Sequence, residues 1–187
     1  MANIVLLGAP GAGKDTLALQ LQSRFSCKLI TPGAIFRREA DLGTPLGLKA
    51  KNEYWGKGHL CPDEITNQLI KNTVERLAKN KAEHTIFNGY PRRLSQAEFL
   101  QGICPIDLVL NLSVTRETAI NRLLARRRED DTKEIIEQRF QAYHDNNSDI
   151  VQYYKELGVY ASVNANQLIP RVLKAALGAL NQLGEKQ

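Results

Sequence analysis

Cysteine is scarce in this chain. Only Cys27, Cys61 and Cys104 occur among 187 residues, widely spaced and with no CxxC pair. That spacing argues against a tetrathiolate zinc site and against a disulfide framework, and suits reduced thiols in a cytoplasmic protein. Long apolar runs are missing too. The run at residues 4–7 is far too short to span a membrane, and Met1-Ala2-Asn3 before it lacks the basic character of a signal peptide. Neither secretion nor membrane insertion is expected. There is no internal repeat, no low-complexity tail, no zinc-finger spacing, no RNP-like aromatic pattern and no basic recognition helix. A nucleic-acid partner is therefore not expected.

What the chain does contain is an ordinary globular balance, 43% hydrophobic and 24% charged residues, which excludes wholesale disorder. Its length suits one α/β domain with a small insert. The formal net charge of +5 is not spread as a basic tail. Arginine gathers at Arg122, Arg126, Arg127 and Arg128, with Arg92-Arg93 before and Arg139 after. Such a patch suits a small polyphosphate as well as nucleic acid.

The stretch "NIVLLGAPGAGKDTLALQLQSRF" reads as strand, glycine-rich turn and helix. Continuous apolar character at 4–7 is expected of a strand covered on both faces. Gly8, Gly11 and Gly13 allow a tight turn that exposes successive backbone N–H groups, and the helix starting near Lys14 adds its positive end. Lys14 brings a mobile ammonium. The pattern is one residue away from the usual phosphate loop, because Asp15 stands where Ser or Thr is common. Further strands are expected at 27–30, at 85–87, within "PIDLVLNLSV" and within "VYASVN". Helices are expected at 63–77, in "RETAINRLLARRR", over 132–157 with a break near Asn146-Asn147, and over 168–183. Residues 31–62 hold frequent Gly and Pro between short helical stretches, which reads as a small helical insert. Strands alternating with helices behind an early phosphate-type loop predict an α/β fold with a five-stranded parallel sheet of the P-loop NTPase type.

The loop at 8–16, "TPGAIFR" at 31–37, "GHLCPDE" at 58–64, "NGYPRRLSQAE" at 88–98, "RLLARRREDD" at 122–131 and Arg139 occur in one order and spacing. On these the chain resembles the nucleoside monophosphate kinases, and among them most closely the adenylate kinases. The resemblance covers nearly the whole chain. It implies a core of residues 1–30 and 63–187, an acceptor-binding insert at 31–62 and a vestigial lid at 126–130. It also implies ATP and Mg2+ as cofactors, AMP as the leading acceptor, and a cytoplasmic monomer. In the donor site it places Gly8, Ala9, Pro10, Gly11, Ala12, Gly13, Lys14, Asp15 and Thr16, with Thr16 as the phosphate-loop hydroxyl and Arg122 against the donor base. On the acceptor side it places Pro32, Gly33, Arg37, Leu60, Gly89, Arg92 and Gln96. Gln96 would recognise adenine, since an amide offers a base edge both a donor and an acceptor. Lys14, Arg92, Arg126, Arg128 and Arg139 would surround the transferring phosphoryl group, with Asp130 and Asp131 orienting the arginines or helping to hinge the segment. Arg38 and Arg93 are expected to face solvent.

Five departures from the family stand out. The family tends to have glycine at Asp15 and often has acidic residues at Ala34 and Asn88, near its magnesium-water network. Asp15 is read either as a first-turn helix residue or as a substitute charge near magnesium, with Thr16 as a ligand and Asn88 acting through water. Pro32 stands where adenylate kinases usually have Thr, which leaves the acceptor base open. Only Arg127 separates Arg126 from Arg128, where the family places a lid. These departures keep two alternatives in view: a kinase of another nucleotide or small phosphate acceptor, and a nucleotide-binding regulatory or scaffold protein with weak ATPase or no activity.

Overall fold

The computed structural model describes residues 2–57, 59–78, 84–126, 128 and 131–184. Five strands form one parallel sheet: β1 (Ala2–Gly8), β2 (Cys27–Ile30), β3 (His84–Asn88), β4 (Leu108–Ser113) and β5 (Tyr160–Asn164), in the spatial order β2-β3-β1-β4-β5. The helices are α1 (Lys14–Gln22), α2 (Pro32–Asp41), α3 (Pro45–Lys49), α4 (Asp63–Ala78), α5 (Leu94–Ile103), α6 (Arg116–Arg126), α7 (Lys133–Glu156) and α8 (Ile169–Gly184). A π-helical turn at Ala50–Tyr54 and a 3-10 turn at Trp55–Lys57 follow α3.

The pleat of β1 explains its unbroken apolar run. Ile4 and Leu6 point to one face and pack with Leu17, Leu21, Leu110, Val163 and Leu173. Val5 and Leu7 point to the other and pack with Ile70, Phe87, Leu100, Val109, Ile150 and Tyr154. Helices therefore cover both faces, and each fully buried aliphatic side chain contributes about 1.5–3 kcal/mol. A third, smaller cluster of Phe36, Ala50 and Cys61 packs with Trp55, Ile65 and Leu69, and so ties the α2–α3 excursion to α4.

Two expectations require correction. Helix α7 runs unbroken through Asn146-Asn147. Asn146 donates through Nδ2 to the carbonyl of Ala142, four residues back, so its amide is absorbed by the helix backbone. Ile150 and Tyr154 beyond it are anchored in the core. Helix α5 was not anticipated at all. Its Gln96, Ala97 and Leu100 face inward behind Pro91. Thr132 does cap α7, accepting from the N–H of Ile135 at 3.3 Å.

Candidate active site

The loops after β1, β3 and β4 open at the carboxyl edge of the sheet, where ligands bind in open parallel folds. Gly11 holds φ at +78°, and a Cβ there would lie 2.3 Å from the carbonyl oxygen of Ala119. Only glycine fits that contact with α6. Gly13 caps α1 in a left-handed conformation and supplies no side chain to its first-turn N–H groups. Those groups are consequently available to an anion. Lys14 folds back over the loop, donating through Nζ to the carbonyls of Gly8 at 2.6 Å and Ala9 at 2.9 Å. Burial first, then the positive charges of Arg92 and Arg126, lower its pKa to about 7 against the opposing charge of Asp15.

Asp15 is more than a first-turn residue. Its Oδ1 accepts from Asn88 Nδ2 at 2.7 Å and its Oδ2 pairs with the Arg128 guanidinium at 3.3 Å. Burial pushes its carboxyl up, but the Asn88 hydrogen bond and the charges of Arg128 and Lys14 hold it below the usual value. Thr16 lies beside it on the exposed side of the loop.

On the opposite wall, Pro32 begins α2, and Arg37 one turn later turns its guanidinium back to within 3.5 Å of where a Cβ on Gly33 would stand. Arg92 Nε donates to the Gly89 carbonyl at 2.9 Å. Gln96 is 2% exposed and already has two partners: its Oε1 accepts from the Arg92 backbone N–H at 2.8 Å, and its Nε2 donates to Asp63 Oδ1 at 2.8 Å. One amide proton and one lone pair are left over for a base. Asp63 also accepts from Ser95 at 2.5 Å and from Arg93 at 2.6 Å. Arg93 is thus not the solvent-facing charge expected. It bridges Asp63 and the Cys61 carbonyl with its side chain one-third exposed. Arg38 does face solvent.

The third wall comes from α6 and α7. Arg126 makes a bidentate contact with Asp131, at 2.8 and 2.7 Å, and Arg139 reaches the same carboxylate at 3.3 Å. The Asp131 side chain is only 2% exposed. Burial raises its pKa, yet the Arg126 bonds and charge outweigh that and keep it ionised below the usual range. Arg122 donates to the Ala165 carbonyl at 2.9 Å. Of the segment 126–130, Arg127, Glu129 and Asp130 lie outside the described residues, so the expected vestigial lid and the role of Asp130 are not described further.

Together the walls enclose a cleft of about 770 Å³. Lys14, Arg37, Arg92, Arg122, Arg126, Arg128 and Arg139 line it, and Asp15 is the one carboxylate among the described lining residues. A family model described as adenylate kinase matches residues 6–159. The chain belongs to the adenylate kinase family. Its members transfer a phosphoryl group from ATP to AMP, giving two ADP. The adenylate kinase of Mycolicibacterium smegmatis is 37% identical over 184 positions, covering 96% of this chain and 99% of that protein. That of Rhodococcus erythropolis is 38% identical over 184 positions, with the same coverage. That of Pseudothermotoga lettingae is 36% identical over 201 positions, covering 88% of this chain and 91% of that protein. An alignment longer than the chain itself means that the Pseudothermotoga protein carries residues this adenylate kinase family member does without.

Of the residues singled out in the sequence, Gly8, Pro10, Gly11, Ala12, Gly13, Lys14, Asp15, Thr16, Pro32, Gly33, Arg37, Leu60, Asn88, Gly89, Arg92, Gln96, Arg122, Arg126, Arg128 and Arg139 all line the cleft. Ala9 does not. It faces a shallow pocket behind the loop, beside Val114 and Phe140. Sequence reasoning missed Asp63, present there only as the first residue of the helix expected at 63–77, and Trp55, which lines the cleft from the 3-10 turn. A carboxylate two residues after Cys61 and thirty before Arg93 gives no local sign of the bonds it makes. The lone tryptophan, in an excursion otherwise rich in Gly and Pro, was the signal available for the second.

Proposed function

We propose that this chain binds ATP on the phosphate loop and AMP beneath the 31–62 segment, and transfers the γ-phosphoryl group directly between them. The observation that carries this is the convergence of seven cationic side chains around the phosphate loop in one cleft. In the transfer, an AMP phosphate oxygen bonds to the γ-phosphorus as its bond to the β–γ bridging oxygen breaks. ADP leaves with that electron pair. Little covalent chemistry is asked of the protein, and the work is in-line positioning and compensation of charge. Lys14 and the loop N–H groups hold the donor phosphates, and Arg122 lies against the donor base. Arg37 and Arg92 hold the acceptor phosphate through guanidinium forks. Arg126, Arg128 and Arg139 meet the oxygens of the transferring group. Pro32, Gly33, Leu60, Gly89 and Gln96 shape the acceptor's seat.

The cleft also fits Mg2+, which takes oxygen ligands and commonly retains waters. The Oδ1 of Asn88 is buried with no hydrogen-bond partner among the described residues, and Thr16, in the first turn of α1, lines the same cleft. Thr16, and Asn88 through water, would hold the ion; Asp15, already paired with Arg128, would contribute least. When bound, Mg2+ would offset negative charge on the donor phosphates. The division into a 1–30 and 63–187 core, a 31–62 insert and a 126–130 lid remnant belongs to the same proposal. So does a cytoplasmic monomer acting on small nucleotides, without a nucleic-acid or membrane partner.

The test is a screen of nucleoside monophosphates with Mg-ATP, measuring diphosphate product and free phosphate together. AMP should be the best acceptor and yield two ADP with little free phosphate. A pyrimidine monophosphate preferred over AMP would make Pro32 the specificity residue, and phosphate release without an acceptor would make the chain an ATPase.

A further inference from the structure

The unusual aspartate and the unusual asparagine are hydrogen-bonded to each other. Asn88 ends strand β3, is 3% exposed, and donates through Nδ2 to Asp15. A carboxylate at 88 would instead set two negative charges at hydrogen-bond distance, so acid at 15 and amide at 88 suit one another. The second oxygen of Asp15 reaches Arg128, 113 residues away in sequence and 37% exposed. A glycine at 15 has nothing with which to make that contact.

We propose that Asp15 is a positioning residue for Arg128: oriented by Asn88, its carboxylate moors the Arg128 guanidinium against the phosphate loop. The proposal rests on Arg128 acting at the transferring phosphoryl group. The other arginines of the cleft with visible tethers are held without a carboxylate in the lining, Arg126 and Arg139 by Asp131, which does not line the cleft, and Arg122 and Arg92 by neutral backbone carbonyls. Arg128 is held by a carboxylate that lines the cleft. Arg128 stands two positions beyond Arg126, and the phosphate loop supplies its tether from across the fold. The carboxylate also opposes the repulsion that Arg92 and Arg126 exert on Lys14, to which Asp15 is covalently adjacent.

The experiment is a double-mutant cycle on kcat and on KM for both substrates, using the full chain with Mg-ATP and AMP. Asp15→Asn keeps the shape and removes the charge. It should lower kcat about fivefold, the upper range for a partly exposed ion pair, with KM for AMP unchanged. Asp15→Glu should restore part of the loss. The deficit should shrink as KCl is raised, since such a pair is screened. In an Arg128→Ala background, Asp15→Asn should have no further effect. Full activity in Arg128→Ala would overturn the placement of Arg128, and with it the functional reading on which the proposal stands. A loss in Arg128→Ala combined with an undiminished Asp15→Asn effect in that background would overturn the mooring alone. Amide exchange at Asp131, whose N–H is bonded to the Arg128 carbonyl at 3.0 Å, gives a readout free of activity. It should quicken in Asp15→Asn, and an unchanged rate would also refute the mooring.

Discussion

Lys14 should make donor binding consume a proton. Its ammonium is the most heavily desolvated cation of the phosphate loop, and burial together with Arg92 and Arg126 brings its pKa down to about 7. Triphosphate oxygens beside it restore the preference for the charged form. Free protein is half-charged near pH 7 and mostly neutral at pH 8.5, whereas the complex holds the charge at both. The penalty on affinity scales as one plus ten raised to the difference between pH and pKa. Between pH 7 and 8.5 the apparent Kd for Mg-ATP should therefore rise about 16-fold, or ~1.6 kcal/mol. Instability is not a competing cause at this group. Between about 7 and 10.5 the unfolded chain holds the proton that the folded chain has released, so Lys14 makes the fold more stable as pH rises through that window. Isothermal titration calorimetry in two buffers of different ionisation heat counts the protons, and close to one should be taken up at pH 8.5. Lys14→Arg, which stays charged throughout, should bind with a flat profile over the same range. Equal slopes in the two proteins, or no proton uptake at pH 8.5, would refute the assignment.

Three further outcomes follow from the geometry. Asp131→Asn should cost about 1.5–3 kcal/mol of stability by denaturant unfolding, from its charged bonds to Arg126 and Arg139, and should lower kcat more than either KM. Because the Asp131 pKa is lowered by folding, its contribution is complete above the ordinary value of 3.8 and vanishes as pH falls through the folded value; the variant should accordingly lose its deficit in acid melts. Gln96→Leu strands the Arg92 N–H and removes one of the two bonds to Asp63 Oδ1, costing about 1–3 kcal/mol in stability, and should reduce AMP use relative to other monophosphates; a flat acceptor profile would remove Gln96 from base recognition. Gly11→Ala must accommodate a Cβ 2.3 Å from the Ala119 carbonyl at a positive φ, so it should depress both the melting temperature and ATP affinity, and a wild-type melt would contradict the packing described.

The fold was largely legible because its signals are local. Strand β1 is apolar on both faces, the glycine loop follows at once, and breaker residues mark the 31–62 excursion. Helix α5 escaped notice because ten residues behind Pro91-Arg92-Arg93 carry too short a periodic pattern to stand out, while its inward residues are decided by tertiary packing. The supposed break at Asn146-Asn147 treated asparagine as a turn former, which it is only when its amide has no helix carbonyl to bond. Side-chain pairings across long sequence distances were invisible. Arg93 meets Asp63 across 30 residues and Asp15 meets Asn88 across 73, and no periodicity encodes either contact.

Those pairings bear on how so many like charges share one cleft. Cations converging without partners would repel one another and would be mobile, and mobility costs a phosphoryl-transfer site its in-line geometry. Here most tethers set no carboxylate in the cleft. Asp131 is nearly inaccessible and fixes two arginines, while carbonyls of Gly8, Ala9, Gly89 and Ala165 fix Lys14, Arg92 and Arg122. A neutral carbonyl, or a carboxylate outside the lining, adds little negative potential where the nucleotide must enter. Asp15 breaks that pattern, since its carboxylate lines the cleft and carries a side chain 51% exposed. A negative charge so placed would weaken nucleotide binding if it were unpaired. Paired with Arg128 and hydrogen-bonded by Asn88, it stays ionised while presenting little net charge. The loop can then carry an acid one residue beyond its lysine and still remain a site for anions.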